Sequence, residues 1–339
     1  MIFINRRNTM NDKKIYKVGI LGCANIAVRS LIPAYYINNR YMVYAIASRN
    51  IEKASSVAEK YGCKAYGSYD ELLSDKDVDV VYMPLPTGMH YEWGKKVLMA
   101  GKHLLSEKSL ACSYAQVKEL VDIARNNGLL IMENFQFRFH TQTQWVREQI
   151  ASGKLGEIRC FRSSFGFPPF KDADNIRYNK SLGGGALLDA GAYTVKSMNV
   201  IFPNENFKYK SATMVTPSGS EVDIYGGVYF ESESGIIAEL AYGFDNYYQC
   251  GFEIWGSKGK LTSTRAYTAP PNFSPKLILE TNDDGRVEVD IPPYDHFDAM
   301  VRHFAECLDS GEFEEEYKQN LLQARNLNEI MDNANHIKK

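Results

Sequence analysis

The sequence predicts two units in series: a doubly wound α/β domain built on a parallel sheet, then an α+β domain with a large, open, mainly antiparallel sheet. Three observations predict this. Up to about residue 135, short apolar runs alternate with amphipathic stretches, the pattern of a parallel sheet covered on both faces. From about 158 the apolar residues recur with period two between turn signals, as in an antiparallel sheet with one packed face. The chain has 339 residues, which at about 150 per domain is roughly two domains.

KVGILG (17–22) reads as a buried strand leading into a helix that ends near Tyr36. YMVYAIAS (41–48) is a second strand, and 51–62 is a helix stopped by Gly62. VDVVYMPLP (78–86) is a strand ending at prolines, followed by a helix over 90–100 with Gly101 as its stop. HLLSEK (103–108) is a strand, 113–126 a helix ended by Asn126-Asn127-Gly128, and LLIMENF (129–135) another strand. A helix over 141–151 opens the second unit. Strands follow at 158–165, 225–232, 235–244 and 250–257, with turns at Ser234-Gly235, 257–259 and 283–285. Helices at 294–310 and 317–335 close the chain. The division is therefore a loose tail at 1–14, a first domain at 15–135 and a second at 136–339, with the closing helices free to pack back on the first.

Composition excludes several classes. With 45% hydrophobic and 24% charged residues the chain has the apolar content of a globular protein, not a disordered one. Net charge is −2, which leaves no basic footprint for nucleic acid. No apolar run approaches the roughly 18 residues of a membrane span. At the N-terminus Arg6 and Arg7 follow the short apolar start, the reverse of a secretory signal, and Met10 is an alternative start. Six scattered cysteines without C-x-x-C predict reduced thiols in a cytoplasmic protein. Six equally scattered histidines predict no metal site.

Chemistry enters at the first strand–helix turn. Gly22, Ala24, Asn25, Ile26 and Ala27 form a G-x-G-x-x-G/A turn with Ala24 in the second glycine slot. Following the first strand, this is the Rossmann context in which a helix N-terminus cradles a pyrophosphate. The second strand ends in Ser48-Arg49, where a site for NAD(H) carries an acid for the ribose 2′-hydroxyl. An arginine there suits a 2′-phosphate, with Lys53 as a helper, so NADP(H) is expected in preference to NAD(H).

Glu107-Lys108 stands at the carboxyl end of a buried strand, where open α/β sheets bind ligands. Gly183-Gly184-Gly185 opens a helix that carries Asp189 and Tyr193 four residues apart on one face, with Lys196 three further on. Each alone is ordinary; 22 tyrosines occur in the chain and most are packing residues.

Four motifs in order, GILGCANIA (19–27), PLPTGMHYEW (84–93), AGKHLLSEKS (100–109) and LGGGALLDAGAY (182–193), make the sequence resemble the Gfo/Idh/MocA oxidoreductases over about 15–335. The family's glutamate–lysine–proline turn has Ser109 in place of proline, which puts the rigidity of that turn in question. The resemblance implies that Lys108 is catalytic, close to nicotinamide and substrate. It implies further cofactor contacts at Leu85, Pro86, Thr87, His90, Glu107, Asn134 and Arg177. Tyr193, where the inositol-type branch has histidine, is similar to the glucose–fructose oxidoreductase, dihydrodiol dehydrogenase and sugar 3-ketoreductase branches, and 175–194 with 264–271 is most similar to the sugar 3-ketoreductases.

The expected chemistry is reduction of a keto group on a sugar, nucleotide-linked and deoxygenated, by NADPH. Tyr193 acts as general acid, with its pKa lowered by the Lys108 ammonium as electrostatic partner, or the two exchange roles, and Asp189 orients Lys108 or the substrate. The alternatives are an NAD(P)-dependent dehydrogenase of a free sugar or a trans-dihydrodiol, and a cofactor-sensing regulator without turnover. Pocket lining is expected from 160–180 and from strand ends near 242–250 and 264–273, with Phe165, Phe167, Tyr178 and Tyr247 as walls and Tyr294 within reach of the crevice. The open sheet face predicts a homodimer or homotetramer.

Overall fold

Six strands form the first sheet: β1 (Tyr16–Leu21), β2 (Tyr41–Ala47), β3 (Lys64–Tyr66), β4 (Val80–Met83), β5 (His103–Glu107) and β6 (Ile131–Asn134). In the computed structural model, which describes residues 13–172 and 174–339, all six are parallel in the order β3-β2-β1-β4-β5-β6. Most of the expected tail at 1–14 falls outside the described residues. The helices of this half are α1 (Ile32–Ile37), α2 (Ile51–Tyr61), α3 (Tyr69–Ser74), α4 (Thr87–Met99) and α5 (Tyr114–Asn126). The chain winds outward from β1 through β2 to β3, then returns to β4 on the other side of β1. The crevice beyond the carboxyl ends of β1 and β4 is therefore the topological switch point.

Prolines set one boundary. The strand expected over 78–86 is ladder-paired only in β4, because Pro84 and Pro86 have no N–H to donate. Pro86 instead caps α4 in an extended conformation, so the helix starts three residues before the expected 90. β3 and α3 were not anticipated: a three-residue strand and a six-residue helix are too short to show a period.

The second half begins with α6 (Thr141–Ala151) and β7 (Ile158–Gly166), then α7 (Ala192–Ile201), and strands β8 (Phe207–Thr216), β9 (Tyr225–Ser232), β10 (Ile237–Gly243), β11 (Gln249–Gly256), β12 (Gly259–Ser263), β13 (Lys276–Thr281) and β14 (Gly285–Asp290). The helices α8 (His296–Ser310) and α9 (Glu314–Asn333) and a short strand β15 (Asn335–Lys338) complete it. The sheet order is β14-β13-β12-β11-β7-β10-β9-β8-β15. Pairing is antiparallel except for β7 with β10 and β8 with β15. Every residue of α7 is buried; the helix lies on the inner sheet face, where Val195 and Met198 share a core with Phe161, Phe230 and Leu240. The outer face carries cross-strand ion pairs such as Arg162–Glu239 and Lys260–Glu280.

The closing helices pack back on the first sheet. Met300 and Phe304 of α8 join Val18, Ile20 and Tyr82 in one core, and Tyr317 and Ala324 of α9 join the core on the opposite face. Asn320 Nδ2 donates to the Ile131 carbonyl at 2.9 Å, which ties α9 to β6. Among the described residues no helix is long and apolar enough to cross a membrane, and no cluster of three His, Cys, Asp or Glu suits a metal ion.

Candidate active site

A cavity of about 1200 Å³ opens at the switch point and extends to the second sheet. At one end lies the β1 turn. Gly22 has φ +113°, a conformation that L side chains rarely adopt, and from there the chain swings into a helix over 25–37 that begins with a π-turn at Ala27–Leu31. No side chain caps this start, so its first N–H groups are left for a ligand. Ala24, Asn25 and Ile26 line the cavity; Gly22 only shapes the turn.

The end of β2 stands beside this turn. Ser48 is buried, and its hydroxyl accepts the Asn50 N–H at 3.2 Å. The side chain of Asn50 in turn caps α2 by accepting from Lys53 N at 3.0 Å. The Lys53 carbonyl faces the Cys23 thiol at 3.8 Å, so Lys53 is adjacent to the phosphate turn. Arg49 is exposed beside the Tyr69 hydroxyl and, among the described residues, pairs with no carboxylate.

Leu85, Pro86 and Thr87 line the cavity at the end of β4. His90 does not, which corrects its expected cofactor contact. Its ring is fully buried, Nδ1 lying 2.7 Å from the Ser109 carbonyl and Nε2 2.7 Å from the Leu85 carbonyl. It is a strut between two loops, and burial pulls its pKa below the usual imidazole value.

Glu107, Lys108 and Asn134 reach the cavity from β5 and β6. Glu107 accepts hydrogen bonds from the Tyr82 hydroxyl and Asn134 Nδ2, both at 2.6 Å. Burial pushes its pKa up against those bonds. Asn134 Oδ1 is left buried without a partner.

Asp189 is the centre of the constellation. Lys108 Nζ donates to its carboxylate and, at 2.9 Å, to its backbone carbonyl. Arg177 Nε donates to the other carboxylate oxygen at 2.6 Å. Burial alone would raise the Asp189 pKa, but the two cations outweigh it and hold the pKa down at about 2. The helix carrying these residues starts with a π-turn, Leu187–Gly191, so Asp189 and Tyr193 are not on a regular α-helical face. They nevertheless line the same cavity.

Tyr193 lies beneath Lys108, whose Nζ is 5.1 Å from the ring centroid, and packs edge-on against Phe135 and Phe165. Its pKa is raised, first by burial and then by the Glu107 and Asp189 carboxylates. This corrects the expectation that Lys108 lowers it: the ammonium charge is already spent on Asp189. The tyrosine therefore rests as a protonated donor.

Other expectations separate in the same way. Phe165 and Phe167 line the cavity; Tyr178, Tyr247 and Tyr294 do not. Tyr247 is 89% exposed, and Tyr294 instead accepts from Arg302 at 3.2 Å. Lys196 is wholly buried away from the cavity and donates to the Gln319 carbonyl at 3.2 Å. The cavity also takes in residues that the sequence did not single out: Gln136, Tyr248, Arg265, Thr268 and His296. Three of them, Tyr248, Arg265 and Thr268, fall in the stretches 242–250 and 264–273 expected to line the pocket, though none was named.

Known proteins resemble this chain in sequence and fold. Residues 16–135 match the oxidoreductase family, NAD-binding Rossmann fold, and 143–262 match the GFO/IDH/MocA C-terminal domain. The chain is 38% identical over 293 residues to dTDP-3,4-didehydro-2,6-dideoxy-alpha-D-glucose 3-reductase of Streptomyces violaceoruber, covering 86% of this chain and 85% of the relative. Its identity to the enzyme of that name from Actinomadura kijaniata is 36%, covering 92% and 93%. The crystal structure of KijD10, a 3-ketoreductase from Actinomadura kijaniata in complex with NADP and TDP-benzene, superposes with a TM-score of 0.92 at 35% identity, covering 96% of this chain and 100% of that one. The fold, the switch-point cavity and these matches agree: the chain belongs to the Gfo/Idh/MocA oxidoreductase family.

Proposed function

We propose that the protein reduces a keto group of a nucleotide-linked deoxysugar with NADPH. The observation that carries this reading is the size of the cavity. Small-molecule sites usually enclose about 300–1000 Å³. The 1200 Å³ found here, with a phosphate turn at one end and Tyr193, Lys108 and Asp189 on its wall, accommodates a dinucleotide together with a second bulky ligand. Relatives named as reductases of a dTDP-linked 3-keto-2,6-dideoxyhexose support the same substrate class.

NADP(H) fits the residues present. The uncapped helix start offers N–H groups to the pyrophosphate, Arg49 and Lys53 offer charge to the 2′-phosphate, and the orphaned Asn134 Oδ1 offers an acceptor to the nicotinamide carboxamide. The reduced cofactor, when bound, supplies the hydride. Tyr193 then gives its hydroxyl proton to the carbonyl oxygen of the sugar. Lys108 stands beside that oxygen as a hydrogen-bond donor while negative charge develops on it. Asp189 holds the Lys108 ammonium in place, and Arg177 supports Asp189 from the other side.

In this reading 15–135 carries the dinucleotide and 136–339 carries the sugar. Six unpaired cysteines suit a reducing compartment such as the cytoplasm. Self-association as a dimer or tetramer would use the outer face of the nine-stranded sheet, where Trp255 is exposed beside Arg162 among the ion pairs. Consumption of NADPH with dTDP-linked 3-keto-sugars, generated in situ by a dehydratase, tests the function. Turnover with free sugars or dihydrodiols and NADP⁺ alone would replace it by the dehydrogenase reading. Tight NADPH binding without turnover on any of these substrates would replace it by a cofactor sensor.

A further inference from the structure

Four cationic side chains line the cavity: Arg29, Lys108, Arg177 and Arg265. Lys108 and Arg177 are both committed to Asp189. Arg29 is exposed on the helix that follows the phosphate turn, at the cofactor end. Arg265 differs from all three. It is half-buried in the segment after β12, on the second-sheet side, and among the described residues it pairs with no carboxylate. Its Nη1 donates to the Tyr248 hydroxyl, and its guanidinium lies 5.1 Å from the Tyr248 ring and 6.0 Å from the Phe273 ring. Its Nε is buried with no partner. A guanidinium held in place and partly desolvated without a counter-ion is costly, and its planar fork suits phosphate oxygens.

We propose that Arg265, oriented by Tyr248, is the anchor for the diphosphate of the nucleotide-linked substrate and so sets specificity for nucleotide-linked over free sugars. The inference rests on the proposed ketoreductase reading and deepens it. The position is suitable. Tyr248 and Thr268, whose hydroxyls are 3.3 Å apart, both line the cavity beside Arg265. Tyr267, two residues on from Arg265, has its ring centroid 5.7 Å from that of Tyr193. In a 3-keto-sugar nucleotide the diphosphate leaves from the anomeric carbon, two ring atoms from the carbonyl that Tyr193 protonates. An anion site close to the proton donor but separate from it is what that connectivity requires. A free sugar would leave Arg265 without a partner.

The test is calorimetric titration of the NADP⁺-loaded protein with thymidine diphosphate and with thymidine, on wild type, Arg265→Met, Arg265→Lys and Tyr248→Phe. Wild type should bind thymidine diphosphate more tightly than thymidine by about 10- to 100-fold, the scale of a charge-assisted pair. Arg265→Met should erase that difference, Arg265→Lys should restore part of it, and Tyr248→Phe should weaken it several-fold. NADPH affinity should stay within about two-fold in every variant, since the anchor is not a cofactor contact. Undiminished thymidine diphosphate binding by Arg265→Met and Arg265→Lys overturns the anchor, as does an equal loss of NADPH affinity. A wild type that reduces the nucleotide-linked sugar yet does not distinguish thymidine diphosphate from thymidine also overturns it, while the proposed function stands. A wild type that neither turns over nucleotide-linked sugars nor binds thymidine diphosphate overturns both.

Discussion

The Ser109 hydroxyl donates to the Leu188 carbonyl at 2.9 Å, joining the loop that carries Lys108 to the turn that carries Asp189. A proline at this position, as in the wider family, could not make that bond. The question of turn rigidity raised by the missing proline is answered by hydrogen bonds: Ser109 to Leu188, His90 to the Ser109 carbonyl, and Leu110 N to Glu133 at 2.9 Å. Replacing Ser109 by alanine should cost about 1 kcal/mol in chemical unfolding, the usual net worth of one buried hydrogen bond. It should lower kcat several-fold at unchanged NADPH affinity, because the Lys108–Asp189 geometry loosens. A kcat equal to wild type would show that the bond does not position the site.

Asp189→Asn removes the shared counter-ion of Lys108 and Arg177. The cost should be roughly 3 kcal/mol, at the low end for breaking a buried pair because the Arg177 side chain is 38% exposed. The direct consequence for chemistry is a Lys108 side chain no longer held by a carboxylate, so kcat should fall several-fold at unchanged NADPH affinity. Denaturant unfolding and steady-state kinetics check the two parts separately.

Arg49 at the end of β2 lies by the Tyr69 hydroxyl, and the Lys53 backbone at the start of α2 lies by Cys23 of the phosphate turn; neither these two nor Ser48 line the cavity itself. Arg49→Ala should raise the KM for NADPH at least 10-fold, the worth of a lost charged contact, and leave that for NADH within about two-fold. Equal KM changes for both cofactors would remove Arg49 from 2′-phosphate recognition.

His303 on α8 pairs with the buried Glu316 on α9 at 3.1 Å, and Arg138 holds the same carboxylate bidentately. Burial lowers the imidazole pKa, but the contacts with Cys307 and Glu316 outweigh it and raise the value to about 9. An unfolded histidine titrates near 6.5. The folded state therefore binds the extra proton between these values, and its contribution to stability is complete below about 6.5 and gone above about 9. Melting temperature should fall as pH rises through that window, and less steeply in His303→Gln.

Much of this was legible in the sequence because it rests on local pattern. The alternation over 17–135 gave the parallel strands, Gly62 and Gly101 ended their helices, and the Gly22 turn was recognisable from its place after β1. The inner-face strands β7, β9, β10 and β11 showed their period. β14 did not, since GRVEVD is exposed almost throughout and has no buried face to mark. β15, at the other edge, has the same difficulty, and β8 beside it is exposed or half-buried through its middle. At the site, the bond between Lys108 and Asp189 was anticipated, but His90 was misread because a histidine inside a binding motif looks the same whether it faces the ligand or two carbonyls. Lys196 sat at helical spacing from Tyr193, yet α7 is buried on every side, so that spacing did not bring it to the cavity. Arg265 lay inside a run that pointed at the pocket, but nothing marked it as a cation without a partner: the absence of a counter-ion is a property of the fold.

The central claim is that Tyr193 gives a proton to a sugar carbonyl that receives hydride from NADPH. The direct measurement is turnover of a dTDP-linked 3-keto-sugar with NADPH deuterated at the transferable position, comparing wild type with Tyr193→Phe and reading deuterium in the product by mass spectrometry. Wild type should place one deuterium on the reduced sugar carbon. Tyr193→Phe, folded and binding NADPH normally, should do so about 10²–10⁴-fold more slowly, the usual worth of a positioned proton donor. Label absent from the sugar, or a Tyr193→Phe rate close to wild type, would contradict the account.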